Sequence, residues 1–244
     1  MKLHGHPLSQ NCRRPDLVAK HLGLDLEQVT VDFKDLKSPA FLQLNPAGRI
    51  PVLVDGDFVL SESRAIAQYL AGKKPGLMPS DERGRADVAR WQFWDGQHFS
   101  SPLGTLAFEK LLKPMMGMGE PSETAVTNAL SRYEASAKVL DGHLAKNEWL
   151  VGKSMTVADL SVAASMAYAL PSGAPIDPYP HLKAWFGRIR ELPAWQDIQI
   201  STADWAIGDL PLAGPLAPQI LANIQAWVER FALADGIRLD SPVR

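Results

Sequence analysis

Cysteine is nearly absent: Cys12 is the one cysteine in 244 residues. That excludes an intramolecular disulfide framework and any cysteine-cluster metal site. Basic runs are also missing, and the formal net charge of −2 predicts no nucleic acid or other polyanion as partner. No uncharged apolar run approaches about 18 residues, so no membrane span is expected. Lys2-Leu3-His4 opens the chain as a strand and not as the apolar core of a signal segment. The resulting expectation is a soluble, cytoplasmic protein. There is no internal repeat and no low-complexity tract. Of the six histidines, His4 and His6 share a strand face by their spacing of two, with no third ligand placed nearby, so no metal is expected.

The hydrophobic content of 46% is ordinary for a globular protein, and the length suits one large or two small domains. Residues 2–5 read as a short strand, and Pro7 to Asn11 as a turn. A helix follows, with Leu17, Val18, His21 and Leu22 on one side and Gly23 as its stop. Pro15 is tolerated in a first turn, which predicts a helix start within 11–13. Residues 28–33 form a second strand. Val52-Leu53-Val54 and Phe58-Val59-Leu60 flank Asp55-Gly56-Asp57, a strong hairpin signal. The second of these strands runs into Ser61-Glu62-Ser63, where Ser61 is the expected cap of a helix. The order βαβ then ββα is that of a thioredoxin-like domain over residues 1–73.

Beyond a Pro/Gly-rich linker at 74–84 the strand signals vanish, and an all-α domain is expected over 85–200. Residues 85–113 form one long aromatic-rich helical pattern, kinked at Pro102. A second helix covers 123–146. Thr156 and Asp159 have capping-box spacing, and Met155 and Leu160 have the spacing of a hydrophobic staple. Pro180 opens a further helix that ends before Leu192-Pro193. Met115, Met116 and Met118 sit among glycines, as core filling or a mobile lid. Residues 201–244 form an extension whose Ile220, Leu221, Ile224, Trp227, Val228 and Phe231 make an amphipathic stripe.

The stretch Asn45-Pro46-Ala47-Gly48-Arg49-Ile50-Pro51, the hairpin, and Glu62-Ser63-Arg64-Ala65-Ile66 together resemble the glutathione site of the cytosolic glutathione transferases. The capping box and the helix at Pro180 extend the resemblance across about residues 1 to 200. It implies a cis Ile50-Pro51 bond, with the backbone of Ile50 facing the cysteinyl part of glutathione and Glu62-Ser63 facing its γ-glutamyl end. Gly5-His6-Pro7-Leu8-Ser9 is similar to the start of the phi-class and related bacterial enzymes, which makes Ser9 the catalytic residue, its hydroxyl favouring the thiolate of glutathione. Taken as an isolated serine, Ser9 reads as a helix cap; the block at 45–66 shifts the reading to catalysis. In the beta class an active cysteine follows that position; here Gln10 does. Ser9 to Cys12 keeps C-x-x-C spacing without the attacking cysteine, so Cys12 is expected to be a packed helix residue. Arg13 and Arg14 are expected at a solvated helix start. Lys37 and Arg49 are candidates for the glycine carboxylate of glutathione.

The resemblance further implies a homodimer and a glutathione transferase using glutathione as co-substrate, without metal. The acceptor would be an apolar electrophile, facing Leu8, His98, Phe99, Pro102 and Leu106. Other chemistries on the same site are a peroxidase, dehalogenase, isomerase or ether-cleaving enzyme; a non-catalytic ligand carrier is the remaining alternative.

Overall fold

The computed structural model describes residues 1–7, 9–115, 117–169 and 172–198. The expected extension at 201–244 lies outside the described residues, as do Leu8 and Met116. The first half runs β1 (Lys2–Gly5), α1 (Gln10–Leu22), β2 (Glu27–Thr30), a 3-10 turn (Phe33–Lys37), α2 (Pro39–Leu44), β3 (Val52–Asp55), β4 (Phe58–Ser61) and α3 (Ser63–Ala71). The sheet order is β2-β1-β3-β4, with β1 and β2 parallel and the other pairs antiparallel. This is the thioredoxin-like arrangement that the strand and helix order predicted.

Three local differences have physical causes. β2 ends at Thr30 instead of residue 33. Val31 N–H still reaches Gly5 O at 2.8 Å, but Asp32 then starts the 3-10 turn, and Phe33 is left 46% exposed with little burial to hold it in a strand. Ser38 caps α2 through its Oγ, which accepts from Phe41 N at 3.3 Å, and Pro39 takes the first helical position. Helix α1 begins at Gln10, so Pro15 lies in its second turn. The helix forgoes one backbone bond there, and its packing against both α3 and α8 outweighs the local cost.

The second half is all-helical among the described residues: α4 (Glu82–Trp94), α5 (Ser100–Ala107), α6 (Lys113–Met115), α7 (Glu123–Leu144), α8 (Val157–Ser165), α9 (Pro180–Arg190) and α10 (Pro193–Asp197). The long pattern at 85–113 is interrupted by π turns at Asp95–Phe99 and Phe108–Leu112. Pro102 explains the first interruption. It has no N–H for the carbonyl of His98; that oxygen is taken instead by Ser136 Oγ from α7, at 2.9 Å.

One apolar cluster joins the two halves. Leu3, Leu17, Leu53, Ile66 and Leu70 of the first half belong to it with Trp91, Phe99, Tyr133, Leu160 and Trp185 of the second. The connecting segment is pinned as well: Leu77 is buried, and its carbonyl accepts from Val157 N at 2.9 Å. At α8 the expected capping box is present. Asp159, with no exposed surface, also accepts from Leu150 N and from Trp185 Nε1, both at 2.9 Å.

Candidate active site

Sheet register gathers the site. His4 of β1 stands opposite Val52 of β3, and Val52 opposite Ser61 of β4. The turn after β1, the residues before β3 and the residues after β4 therefore meet at one end of the sheet. They carry Ser9, Ile50-Pro51 and Glu62-Ser63. Because β2 runs parallel to β1, the segment following it, with Lys37, leaves from the same end.

Ser9 occupies the N-cap position of α1, and its backbone accepts from Cys12 N at 2.9 Å, yet its side chain makes no capping bond. The hydroxyl instead acts on the Cys12 thiol, lowering it slightly against burial, and the Cys12 sulfur accepts from His6 N at 3.4 Å. Gly5 makes room for this contact, since a Cβ there would lie 2.8 Å from the sulfur. Burial pushes the Cys12 thiol up to about 11, so it is a packed thiol at neutral pH. Its expected role as a packed helix residue fits this environment.

The Ile50-Pro51 bond is cis. Asn45 builds the turn ahead of it: its Oδ1 accepts from Ala47 N at 3.1 Å and its Nδ2 donates to Arg49 O at 2.7 Å. Lys37 closes over this turn, donating to Ala47 O at 3.2 Å. Gly48 has φ +60°, and a Cβ there would sit 2.7 Å from both Leu36 O and Lys37 Nζ. Lys37 and Arg49 are exposed. Two cations thus flank the cis peptide, available to an anionic group.

At the third segment the cap of α3 is Glu62 and not Ser61. Glu62 holds φ 70°, a strained value for a residue with a side chain, and its side chain makes no cap bond. That conformation turns the exposed Glu62 away from the helix axis and leaves Ser63 as first helical residue, where unpaired N–H groups favour an anion.

Behind Ser63 lies a polar cluster that the periodicity of the sequence gave no sign of. Arg14 is fully buried, contrary to the solvated helix start expected for it. Its guanidinium donates to Ser63 Oγ (2.7 Å), Asn11 Oδ1 (3.1 Å), Ser161 O (3.0 Å), Ser165 Oγ (2.7 Å) and Asp95 Oδ2 (3.3 Å). Asp95 also accepts from Ser165 Oγ at 2.8 Å and pairs with Arg64. Gly96 lies alongside: a Cβ there would be in ordinary contact with the Arg64 Cζ, at 3.4 Å. Desolvation lowers Arg14 to about 10, which leaves it charged at neutral pH. Arg13 is buried too, donating to Ile198 O at 2.6 Å.

The acceptor-side expectations divide. Phe99 and Leu106 have no exposed surface and belong to the helical core; Phe99 stacks on Trp94 with centroids 5.5 Å apart. Pro102 is buried, and His98 is exposed. The π turn rotates this face, so residues spaced for a uniform helix turn inward. The contact between α1 and α5 is made instead by Gln10 and Gly104, where a Cβ would meet Gln10 Nε2 at 3.3 Å. Gln10 Oε1 is buried with no hydrogen-bond partner. No group of three or more His, Cys, Asp or Glu among the described residues is arranged to hold a metal, and no described helix is long and apolar enough to cross a membrane.

A cis-proline turn and the Glu62-Ser63 helix start thus meet at one end of a thioredoxin-like half that packs on a helical half. Residues 1–72 match the family model "Glutathione S-transferase, N-terminal domain", and residues 103–193 match "Glutathione S-transferase, C-terminal domain". Glutathione S-transferase 3 of Zea mays is 39% identical over 80% of this chain and 91% of its own length. A glutathione S-transferase from Hyoscyamus muticus is 36% identical over 80% of this chain and 95% of its own. Among solved structures, glutathione S-transferase-I bound with lactoylglutathione superposes with a TM-score of 0.76 at 32% identity, covering 81% of this chain and 97% of that one. The chain belongs to the glutathione S-transferase family. Its plant relatives make it a phi-like transferase of the serine type, an enzyme with glutathione as co-substrate.

Proposed function

We propose that Ser9 activates glutathione by donating its hydroxyl hydrogen bond to the sulfur, and that the thiolate then attacks an apolar electrophile. The observation that carries this reading is the state of Ser9: it stands at the N-terminus of α1, but its hydroxyl is not used for capping. It can exchange the Cys12 sulfur for a ligand sulfur without loss to the helix. Lowering a thiol pKa by about 2 units requires about 2.7 kcal/mol of preferential thiolate stabilisation. A charge-assisted hydrogen bond and the field of the helix end are of that size.

In this reading residues 1–73 hold glutathione. The backbone of Ile50, beside cis-Pro51, pairs with its cysteinyl part; Glu62 takes the γ-glutamyl ammonium and Ser63 the adjoining carboxylate; Lys37 and Arg49 take the glycine carboxylate. The helical part, 85–200, supplies the acceptor wall. The exposed His98 and the junction of Gln10 with Gly104 are taken as its accessible part, while Phe99, Pro102 and Leu106 support that wall from the core. Leu8, next to Ser9 in the chain, completes it. Holding both substrates spares the entropy of a bimolecular encounter. A cytoplasmic homodimer is the assembly proposed.

The test is a titration of enzyme-bound glutathione, following thiolate absorbance against pH. The wild type should show a thiol pKa near 6 to 7, roughly two units below the free value of about 8.5, and Ser9→Ala should return it toward that value. A bound thiol with the same pKa in both proteins removes Ser9 from the chemistry.

A further inference from the structure

Arg14 uses every donor it has. A guanidinium carries five N–H groups and no acceptor. Here Nε reaches Ser161 O, Nη1 reaches Asn11 and Ser63, and Nη2 reaches Ser165 and Asp95. The consequence falls on Ser63. Its oxygen already accepts from Arg14 at 2.7 Å, so its one hydroxyl proton cannot point along that line. One lone pair of Ser63 is thereby taken, which biases its hydroxyl to donate to a partner elsewhere. A serine without that partner would rotate freely between donating and accepting.

Charge reinforces the polarity. Arg14 and Arg64 face the single carboxylate of Asp95, which leaves one positive charge in excess behind Ser63. It adds to the partial positive charge of the α3 N-terminus. The same guanidinium spans both halves of the fold, since Ser161 and Ser165 lie on α8 and Asp95 at the end of α4.

We propose that Arg14 is a positioning residue for glutathione: it presents the Ser63 hydroxyl as a donor to the γ-glutamyl carboxylate and ties that donor to the helical half through Asp95, Ser161 and Ser165. This rests on the reading above in which Ser63 holds that carboxylate.

A double-mutant cycle on the full-length enzyme tests it, with Arg14→Lys, Ser63→Ala and both together. The readouts are the glutathione Kd by calorimetry, KM for each substrate, kcat, and the thiol pKa of bound glutathione. Lysine keeps the charge but loses the fork that reaches Ser63 and α8 together. Arg14→Lys and Ser63→Ala should each weaken glutathione about tenfold, one lost charge-assisted contact. The double variant should be no weaker than Ser63→Ala alone, while the KM for the electrophile and the bound thiol pKa stay at wild-type values. Additive losses in the double variant, or equal damage to both substrates, would make Arg14 a scaffold residue only and overturn the proposal. Should Arg14→Lys fail to fold, Ser165→Ala removes one bond from Arg14 and one from Asp95 Oδ1, and leaves Asp95 Oδ2 paired with both arginines. A rise of about threefold in glutathione KM alone is expected there, and an unchanged KM overturns the proposal. If Ser63→Ala itself binds glutathione as tightly as wild type, the γ-glutamyl assignment fails first. If Ser63→Ala is weakened and Arg14→Lys is not, only the role given to Arg14 fails.

Discussion

Cys12 illustrates how much one residue can owe to its surroundings. It lies three residues after Ser9, at the spacing of a redox pair, yet the thiol is buried and pushed up to about 11. At pH 8 only about one thiol in a thousand is ionised at that value. Alkylation of the native protein should therefore be slow at pH 8, and one thiol should appear on unfolding. The linked stability has a definite sign. The folded value lies above the ordinary 9.0, so the contribution is complete below pH 9 and is lost as pH rises through about 11. Cys12→Val should flatten the alkaline limb of the stability curve between those limits. Rapid native alkylation at pH 8 would contradict the packed, protonated thiol.

At the scale of elements, α8 depends on one carboxylate. The spacing of Thr156 and Asp159 announced a capping box, worth about 1 kcal/mol. The structure adds two donors from outside the helix. Asp159 accepts from Thr156 N (2.8 Å), Thr156 Oγ1 (3.1 Å), Leu150 N and Trp185 Nε1. Asp159→Ala leaves buried donors on three different segments, so a loss of about 3 kcal/mol or more is expected in denaturant unfolding. Trp185→Phe removes one of those bonds and should cost about 1 to 2 kcal/mol. A loss in Asp159→Ala no larger than that in Trp185→Phe would mean that the cap bonds contribute little. Pro102 shows the complementary case, where a break in one helix is repaired by a hydroxyl from another. Phe99 and Leu106, beside the same break, lie in the core and not on the acceptor face expected for them.

At the scale of the whole molecule, the exposed apolar residues bear on its assembly. β4 ends the sheet as an edge strand, and Phe58 and Val59 on it are 44% and 42% exposed. Phe93 of α4 is 72% exposed, two residues before Asp95, which pairs with Arg64 of α3. Exposed aromatics near an unpaired strand edge suit a second copy of the chain. The homodimer is expected in sedimentation, and Phe93→Asp should weaken it by about 2 kcal/mol, roughly 30-fold in dissociation constant. Dissociation unchanged by that substitution would put Phe93 outside the interface; a wild-type monomer at micromolar concentration would remove the dimer.

What the sequence determined by itself was whatever depends on neighbours along the chain. The hairpin at Asp55–Phe58, the helical spacing of α7 (Glu123–Leu144), the capping box, and the Ile50-Pro51 and Glu62-Ser63 segments all rest on residues a few positions apart. Their local geometry is set by turn chemistry, periodicity and caps, so the fold and the segments that meet at the candidate site were legible from it. Tertiary structure alone decided the rest. Arg14 is separated from Ser63 by 49 positions and from Ser165 by 151, and no local pattern distinguishes a buried arginine from an exposed one. The start of α1, the length of β2 and the face that α5 presents were likewise settled by packing across the molecule. A proline in the second turn of α1 is tolerated when two helices hold it, and a π turn rotates every residue beyond it.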